Sequence, residues 1–287
     1  EIISENKLDI NFNIEETETY YVERINILGN NVTRESVIRS NLEIDEGDPF
    51  NEILQVKSEN NLKSLNFFRS VSSEIIEGND PKSKIINLTV QEKPTGEIFA
   101  GAGVGNEGGT FTVGVKENNY LGKGIAVEAN GTVTAETFKG KLSVNNPNYK
   151  NSDKSLFFNV QAIEIDQLSN FGYKTNKTGF EIGTGFEYYQ DLNLGLSTRS
   201  FYEEIDTDST ASARQQKQEG NYWDTFLKFK INYDKRNQRF KTNDGFYSNF
   251  STDLPLISET NTLTSSYTYK YYTDLFPNNI TSMTFFI

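Results

Sequence analysis

Residues 138–146, FKGKLSVNN, alternate strictly: Phe138, Gly140, Leu142 and Val144 fall on one side of an extended chain, and Lys139, Lys141, Ser143 and Asn145 on the other, before Pro147 stops the run. A period of two marks a strand with unlike faces. The same pattern recurs after Pro94 and predicts strands near 97–105, 109–117, 124–134, 137–146, 155–165, 179–190, 192–204, 223–234, 245–254, 262–274 and from 280 onward. In FEIGTGFEYY, Phe180, Ile182, Thr184, Phe186 and Tyr188 oppose Glu181 and Glu187. In LKFKINY, Leu227, Phe229, Ile231 and Tyr233 oppose Lys228 and Lys230. Most of these runs exceed the usual globular strand of roughly 5–6 residues and match the roughly 9–11 that a tilted strand needs to cross a bilayer. Length therefore favours lipid against the apolar face over the core of a soluble sandwich, which would be thin for so many two-faced strands.

Residues 20–94 follow a different pattern. YYVERINILGN reads as a strand ending in a turn. TRESVIRSNL, residues 33–42, reads as a helix with Thr33 as N-cap and Glu35 in the first turn, where the helix dipole favours it. A second helix is expected over DPFNEILQVKSENNLKSLNFF, with Asp48 capping, Pro49 in the first position and Leu54, Leu62 and Leu65 on one face. RSVSSEIIEG and SKIINLTVQEK form a hairpin across NDPK. The result is a compact β-α-α-β-β module at 19–94. LDINFNIEE before it is a lone strand, read as the tail of a preceding module at 1–18, and 95–287 is the long-stranded region. Glu1 is not a start methionine and no signal-peptide apolar run follows, so the sequence reads as an internal segment.

Connections between the long strands suggest one end with long loops and one with short turns: NEG, NGTVTAE and DLN are compact or moderate, DTDSTASARQQKQEGNY long and polar. The six prolines fall in turns, linkers or strand ends, where a missing N–H costs nothing.

Composition narrows the functions. Mean hydropathy is −0.59 and no apolar run approaches the roughly 20 residues of a spanning helix, which leaves strands as the only route across a membrane. Phe (21) and Tyr (15) against a single Trp suit a β-protein and would furnish interfacial girdles. A net charge of −12 argues against nucleic acid as a partner. Cysteine and histidine are absent, which removes disulfides, thiol chemistry, the usual general base and the commonest metal ligand. No pair of carboxylates stands out for acid–base work, so no catalytic residue, metal ligand or cofactor site is expected.

Three motifs need weighing. Gly103-x-Gly105-x-x-Gly108 matches a dinucleotide fingerprint, but a strand follows where the fingerprint needs a helix N-terminus, so it reads as a glycine-rich hairpin. Asp206-Thr-Asp208 opens like a calcium loop yet lacks the glycine and closing glutamate, and reads as solvated loop. Asn-x-Ser/Thr triplets inside strands are chance in an Asn-rich chain. The glycines 101, 103 and 105, alternating along the first long strand, admit two readings. They provide close packing beneath aromatics, or they weaken a strand whose pairing must come apart.

At this point the residues carry a family. VERINILGNNVTRESVIRSNLEIDEGDPFN, with LKSLNFFRSV and LTVQEKPTGEI, resembles the last POTRA module of the BamA family of outer-membrane β-barrel assembly proteins. FAGAGVGNEGGTFTVGVKENNYLGKGIAVEANGT resembles that family's first three barrel strands, LSVNNPNY the fourth strand and its turn, and FKTNDGFYSNFS a later turn, with Lys241 where proline is usual. Asn66 stands where the family has glycine, and RSNL at 39–42 lacks an acidic residue frequent in that helix. The resemblance implies an α+β POTRA module followed by an antiparallel transmembrane barrel of sixteen strands, of which ten and part of an eleventh are present. It implies a function without ATP or cofactor: receiving unfolded barrel proteins in the periplasm and folding them into the outer membrane through a lateral gate. Ile98, Phe99, Gly101, Gly103, Val104 and Gly105 would form the gate strand that templates the client. Arg39, Asn41 and Glu43 would lie on the POTRA partner surface, and the partners would be unfolded clients, accessory outer-membrane lipoproteins and lipid. A two-partner secretion pore of the same superfamily and a passive porin or adhesion barrel are the alternatives.

Overall fold

The computed structural model describes residues 2–4, 7–8, 18–105, 108–238, 242–259, 262–276 and 279–287. Short strands β1 (Ile2–Ser4) and β2 (Lys7–Leu8) pair antiparallel. The strand expected in LDINFNIEE lies, apart from Leu8, outside the described residues. There follow β3 (Tyr21–Leu28), α1 (Glu35–Arg39), α2 (Glu52–Ser64), β4 (Phe68–Glu77) and β5 (Ser83–Glu92). The chain then continues as β6 (Gly96–Gly105), β7 (Gly108–Tyr120), β8 (Ile125–Val133), β9 (Thr137–Asn146), β10 (Lys154–Gln167), the one-turn α3 (Leu168–Phe171), β11 (Tyr173–Tyr189) and β12 (Leu192–Thr207). The one-turn α4 (Ala213–Gln216), β13 (Gly220–Asp234), β14 (Gly245–Ile257), β15 (Thr264–Phe276) and β16 (Asn279–Phe286) complete the order. Contacts divide the chain into two units. Glu1–Asn31 with Asn41–Lys93 form one, and Val32–Ser40 with Pro94–Ile287 the other.

In the first unit β5 is the central strand, parallel to β3 and antiparallel to β4. Parallel neighbours need a crossover. Val22 and Ile25 of β3, Ile86 of β5 and Ile44 from the connection before α2 are buried together, with Leu54 of α2, Leu42, Ile27 and Phe50 packed against them. Leu62, on the face expected of α2, is fully buried. The cap of α2 differs from expectation. Asn51 holds it, its side-chain oxygen accepting from the N–H groups of Ile53 and Leu54 at 2.9 and 3.3 Å. Asp48 instead accepts from the N–H of Asp45 at 2.9 Å, in the turn before the helix. Asn66, at the glycine position, has φ +63°, and asparagine is the side chain that best tolerates this left-handed backbone after a helix.

The second unit is an eleven-stranded sheet, β6 to β16 in sequence order, every neighbouring pair antiparallel. All eleven predicted strands are present, and several are longer than read: β11 has 17 residues, β12 16 and β13 15. Pro255 lies within β14, not after it, at a bulge opposite Thr225 and Phe226 that spares the missing N–H. Loop lengths do not sort by end as expected. The short connections at 106–107 and 134–136 share an end with the long one at 208–219, while the opposite end carries 147–153 and 235–244. An antiparallel pair can close with two residues wherever it stands, so loop length follows what each loop carries and not the side.

Segment Val32–Ser40, read as a ten-residue helix, is helical only over Glu35–Arg39, and Thr33 is not its cap. Thr33 is buried and its hydroxyl accepts from the Asn119 side-chain amide at 2.8 Å. Asn119 Oδ1 accepts in turn from the N–H of Gly124 at 2.7 Å, and Arg34 donates its N–H to the carbonyl of Gly122 at 2.8 Å. Gly122 has φ +69°, and a Cβ there would collide with the carbonyl oxygen of Val32. The NNYLGKG turn between β7 and β8 thus grips residues 32–34, and a tertiary bond takes the hydroxyl that local sequence had assigned to the helix.

Candidate functional site

Strand β6 is one edge of the sheet and β16 the other, so the outer backbone row of β6 has no partner among the described residues. All ten residues of β6 are exposed. Register with β7, β8 and β9 puts Ile98 in a row with Val115, Ala129 and Leu142, and Gly101 in a row with Thr112, Thr132 and Lys139. Ile98, Ala100, Ala102 and Val104 therefore continue the apolar face, while Phe99 and glycines 101, 103 and 105 lie on the polar one. A Cβ built on any of these three glycines meets nothing within 4 Å. Among the described residues no aromatic ring packs on these three glycines. Elsewhere one does: a Cβ on Gly114 would strike the ring of Phe99 itself, and one on Gly183 would press on Phe157 and Ser197 at 2.5 Å.

The two faces keep their character across the sheet. Val144, Phe158, Ile182, Thr198, Leu227 and Leu254 form one cross-strand row, and Phe186, Leu194, Ile231, Phe250 and Tyr267 another. Phe138, Leu142, Ile182, Phe229, Ile231 and Phe250 are each more than a third exposed, a contiguous apolar belt far beyond the scattered apolar surface of a soluble protein. From Leu192 to Tyr202 this belt spans ten residue steps of β12, about 34 Å along the strand, which at a tilt of about 40° suits the roughly 25 Å apolar band of a barrel. Toward Asp206 the same face turns polar, which accounts for the extra strand length.

The opposite face carries the ions. Lys139, Lys141, Glu181, Lys228 and Lys230 lie there, as expected. Arg199 on β12 reaches Asp253 on β14 at 2.7 Å and stacks over Phe226, and Ser197 donates to Glu181 at 2.7 Å. Lys177 pairs with Glu203 at 2.8 Å and stands 3.9 Å over the Phe201 ring. Periodicity assigned the face, but the bridge from β12 to β14 needed the register to be seen.

The expected partner surface divides between units. Arg39 pairs with Glu35 at 2.7 Å, one turn away on α1. Glu43 accepts from Asn61 at 2.9 Å and pairs with Lys57 at 3.0 Å, and these two bonds, in that order, hold its carboxyl below the ordinary range. The backbone carbonyl of Asn41 accepts from the same Asn61 side chain at 3.4 Å. Asn41 and Glu43 are thus tied to α2. In the motif Gly103 to Gly108, β7 follows the turn, so no helix N-terminus exists to hold a phosphate; Asn106 and Glu107 lie outside the described residues. Asp208 accepts from the N–H and hydroxyl of Thr210 in a local turn, and no group of three acidic side chains is placed to hold a metal among the described residues.

Two family models match the chain. One, described as the Omp85 superfamily domain, covers residues 119–285. The other, a POTRA model described as a surface antigen variable number repeat, covers residues 20–93. The chain belongs to the Omp85 superfamily. Outer membrane protein assembly factor BamA of Neisseria meningitidis serogroup B is 25% identical over 197 residues, covering 66% of this chain and 25% of that protein. BamA of Buchnera aphidicola is 30% identical over 199 residues, 65% of this chain and 31% of that protein. The chain thus spans about a quarter to a third of these curated relatives. A solved BamA from Haemophilus ducreyi lacking POTRA domains 1–3 superposes with a TM-score of 0.73 at 19% identity, over 93% of this chain and 55% of that one. CdiB from Escherichia coli does so with 0.60 at 11%, over 93% and 53%. At such identities the structural likeness speaks for the fold alone. The Omp85 architecture of POTRA module and barrel is an outer-membrane one, with the barrel strands in the bilayer and the POTRA module in the periplasm. The expectation of a POTRA module followed by an antiparallel barrel stands, with the sheet open between β6 and β16.

Proposed function

We propose that the full-length protein is an outer-membrane assembly factor. It takes unfolded barrel proteins from the periplasm and folds them into the bilayer without ATP, helped by accessory lipoproteins that meet its POTRA surface around Asn41 and Glu43. The observation that carries this reading is β6: the first strand of the sheet, whose inward glycines leave unused space toward β7, so that little side-chain contact ties it to that neighbour. An unpaired backbone group in hydrocarbon costs several kcal/mol, so a client strand entering lipid gains most from a template that offers its N–H and C=O groups as they arrive. A strand that must release its own partner to serve in this way is best made weak, and Gly101, Gly103 and Gly105 remove the side-chain contacts that would hold it. The relatives' name supports the same activity.

The test uses the full-length protein. Gly103→Val with Gly105→Val should strengthen the pairing of β6 by up to about 1 kcal/mol per site. The barrel should then remain folded while insertion of a model client slows several-fold. A cysteine pair locking β6 to the strand that closes the barrel should do the same, reversibly with reductant. Wild-type insertion rates in the locked, oxidised protein would overturn the templating role. A two-partner secretion pore of the same superfamily is the second reading, since it too would join a POTRA module to a barrel. A purified protein that exports a soluble partner and leaves membrane clients unfolded would favour it.

A further inference from the structure

On the outward face of β10–β13 the apolar belt is interrupted by a recess. Register sets Ala162, Thr178, Tyr202 and Trp223 in one cross-strand row, and Val160, Phe180, Ser200 and Thr225 in the next. Large rings stand on two sides: Phe158 and Phe180, with centroids 6.4 Å apart, and Tyr202 and Trp223, also 6.4 Å apart. Between them the small residues Thr178, Gly179 and Ser200 leave a groove of about 600 Å³. Ser200 is only 5% exposed, although it points outward, because the rings overhang it. Its hydroxyl shares a hydrogen bond with that of Thr225 at 2.8 Å, and the Trp223 indole N–H donates to Thr225 at 3.3 Å. With these polar groups satisfied by one another, hydrocarbon can cover the floor without stranding a donor.

The groove adjoins a charged margin. The next row toward the connection at 168–172 holds Glu164, Asn176, Glu204 and Asn221, and the one beyond it Asp166, Lys174 and Asp206. Lys174, the cation of these two rows, is already engaged by Glu164 at 2.5 Å and Asp166 at 3.8 Å. Four carboxylates against one lysine leave a negative rim above an apolar slot. Because β6 follows the periplasmic module directly in the chain, β10 runs outward and this rim lies at the outer leaflet.

We propose that the groove is a lipid site, seating one acyl chain of an outer-leaflet lipid whose headgroup turns an amine cation toward Glu204 and Asp206. The slot supplies shape, since flat lipid-facing wall has no recess for a chain to enter. The rim supplies selectivity, since it attracts an amine and repels a bare anionic headgroup. Lipid facing the rest of the belt stays in ordinary exchange.

The full-length protein, reconstituted in mixed phosphatidylethanolamine and phosphatidylglycerol vesicles, tests this with a diazirine-bearing acyl chain carried on one headgroup or the other. Crosslinks mapped by mass spectrometry should concentrate several-fold on Phe158, Phe180 and Tyr202 over Leu196, Phe229 and Ile231, which are similarly exposed on the same face but lie outside this groove. The ethanolamine probe should give the stronger enrichment. Ser200→Leu should fill the floor and abolish it, and Thr178→Leu serves if the first variant fails to fold, as judged by heat-dependent gel mobility. Glu204→Gln with Asp206→Asn should keep the enrichment and erase the headgroup preference. Even labelling around the belt would overturn the site, and equal enrichment with both headgroups would overturn the role of the rim.

Discussion

Strands β6 and β11 belong to one sheet and both alternate glycine with larger residues, yet glycine answers opposite demands in them. In β11 a Cβ at Gly183 would press on Phe157 and Ser197, and one at Gly179 on Phe201 and the backbone of Ser200. In β6 a Cβ at Gly101, Gly103 or Gly105 would touch nothing. The wall strand therefore uses glycine because there is no room, whereas toward β7 the glycines of β6 leave room empty. Composition cannot separate the two cases, since both strands set glycine at alternate positions on the inward face. Only the neighbour decides, and among the described residues that of β6 is β7.

The contrast can be broken by giving both strands the same substitution. Gly183→Val forces a branched side chain against Phe157 and should destabilise the barrel by about 1–3 kcal/mol, as overpacking does. Gly103→Val should stabilise by up to about 1 kcal/mol. Urea unfolding in vesicles, followed by gel mobility, reads both, and equal signs would end the distinction. Arg199→Met probes the wall more widely. It leaves Asp253 facing the lumen without its cation and should cost about 1–3 kcal/mol, less than a fully buried pair because Arg199 keeps a third of its surface exposed. No comparable loss should follow from Glu97→Gln on β6.

Two smaller effects sharpen the comparison outside the wall. Asn119→Ala removes bonds to Thr33 and Gly124 and should cost about 1–3 kcal/mol locally. Hydrogen exchange should then rise over 32–40, with that of β11 unchanged. Glu23 accepts from the Ser83 hydroxyl and the Asn79 N–H, both at 2.7 Å, and these bonds hold its carboxyl below the ordinary range. A depressed carboxylate stabilises above its unfolded pKa and loses that contribution as pH falls through its folded one. Glu23→Gln should therefore lower the melting temperature of the POTRA module slightly at neutral pH, with the difference closing in acid.

The strands were legible because one face of each meets hydrocarbon and the other water, which writes a period of two into the sequence. Legibility stopped where that contrast stops. The outward end of β11, from Lys174 to Asn176, has no apolar residue on either face and fell outside the expected strand, as did Ile205 to Thr207 of β12, although both backbones remain paired. Helix caps failed for a different reason. Thr33 and Asp48 are good cap residues locally, but Asn119 and Asp45 compete for their oxygens, and one of these partners lies far along the chain. At the edge, the outward positions Ile98 and Val104 were readable as apolar, whereas the emptiness around Gly101, Gly103 and Gly105 is a property of the neighbours. The bridge from Arg199 to Asp253 spans two strand pairings and has no sequence spacing of its own.

The grip of the β7–β8 turn on Thr33 joins residues 86 positions apart, whereas every neighbouring pair in the large sheet is consecutive in the chain. Hairpins close short loops and form early; a contact across so long a loop carries a larger closure entropy and must wait for both ends to exist. Segment 32–40 stands before both strands in the chain, yet its bonds to Asn119 and Gly122 need the turn between β7 and β8 in place. The turn thereby acts as a timer, and 32–40 becomes a late reporter of whether the first barrel hairpins have formed.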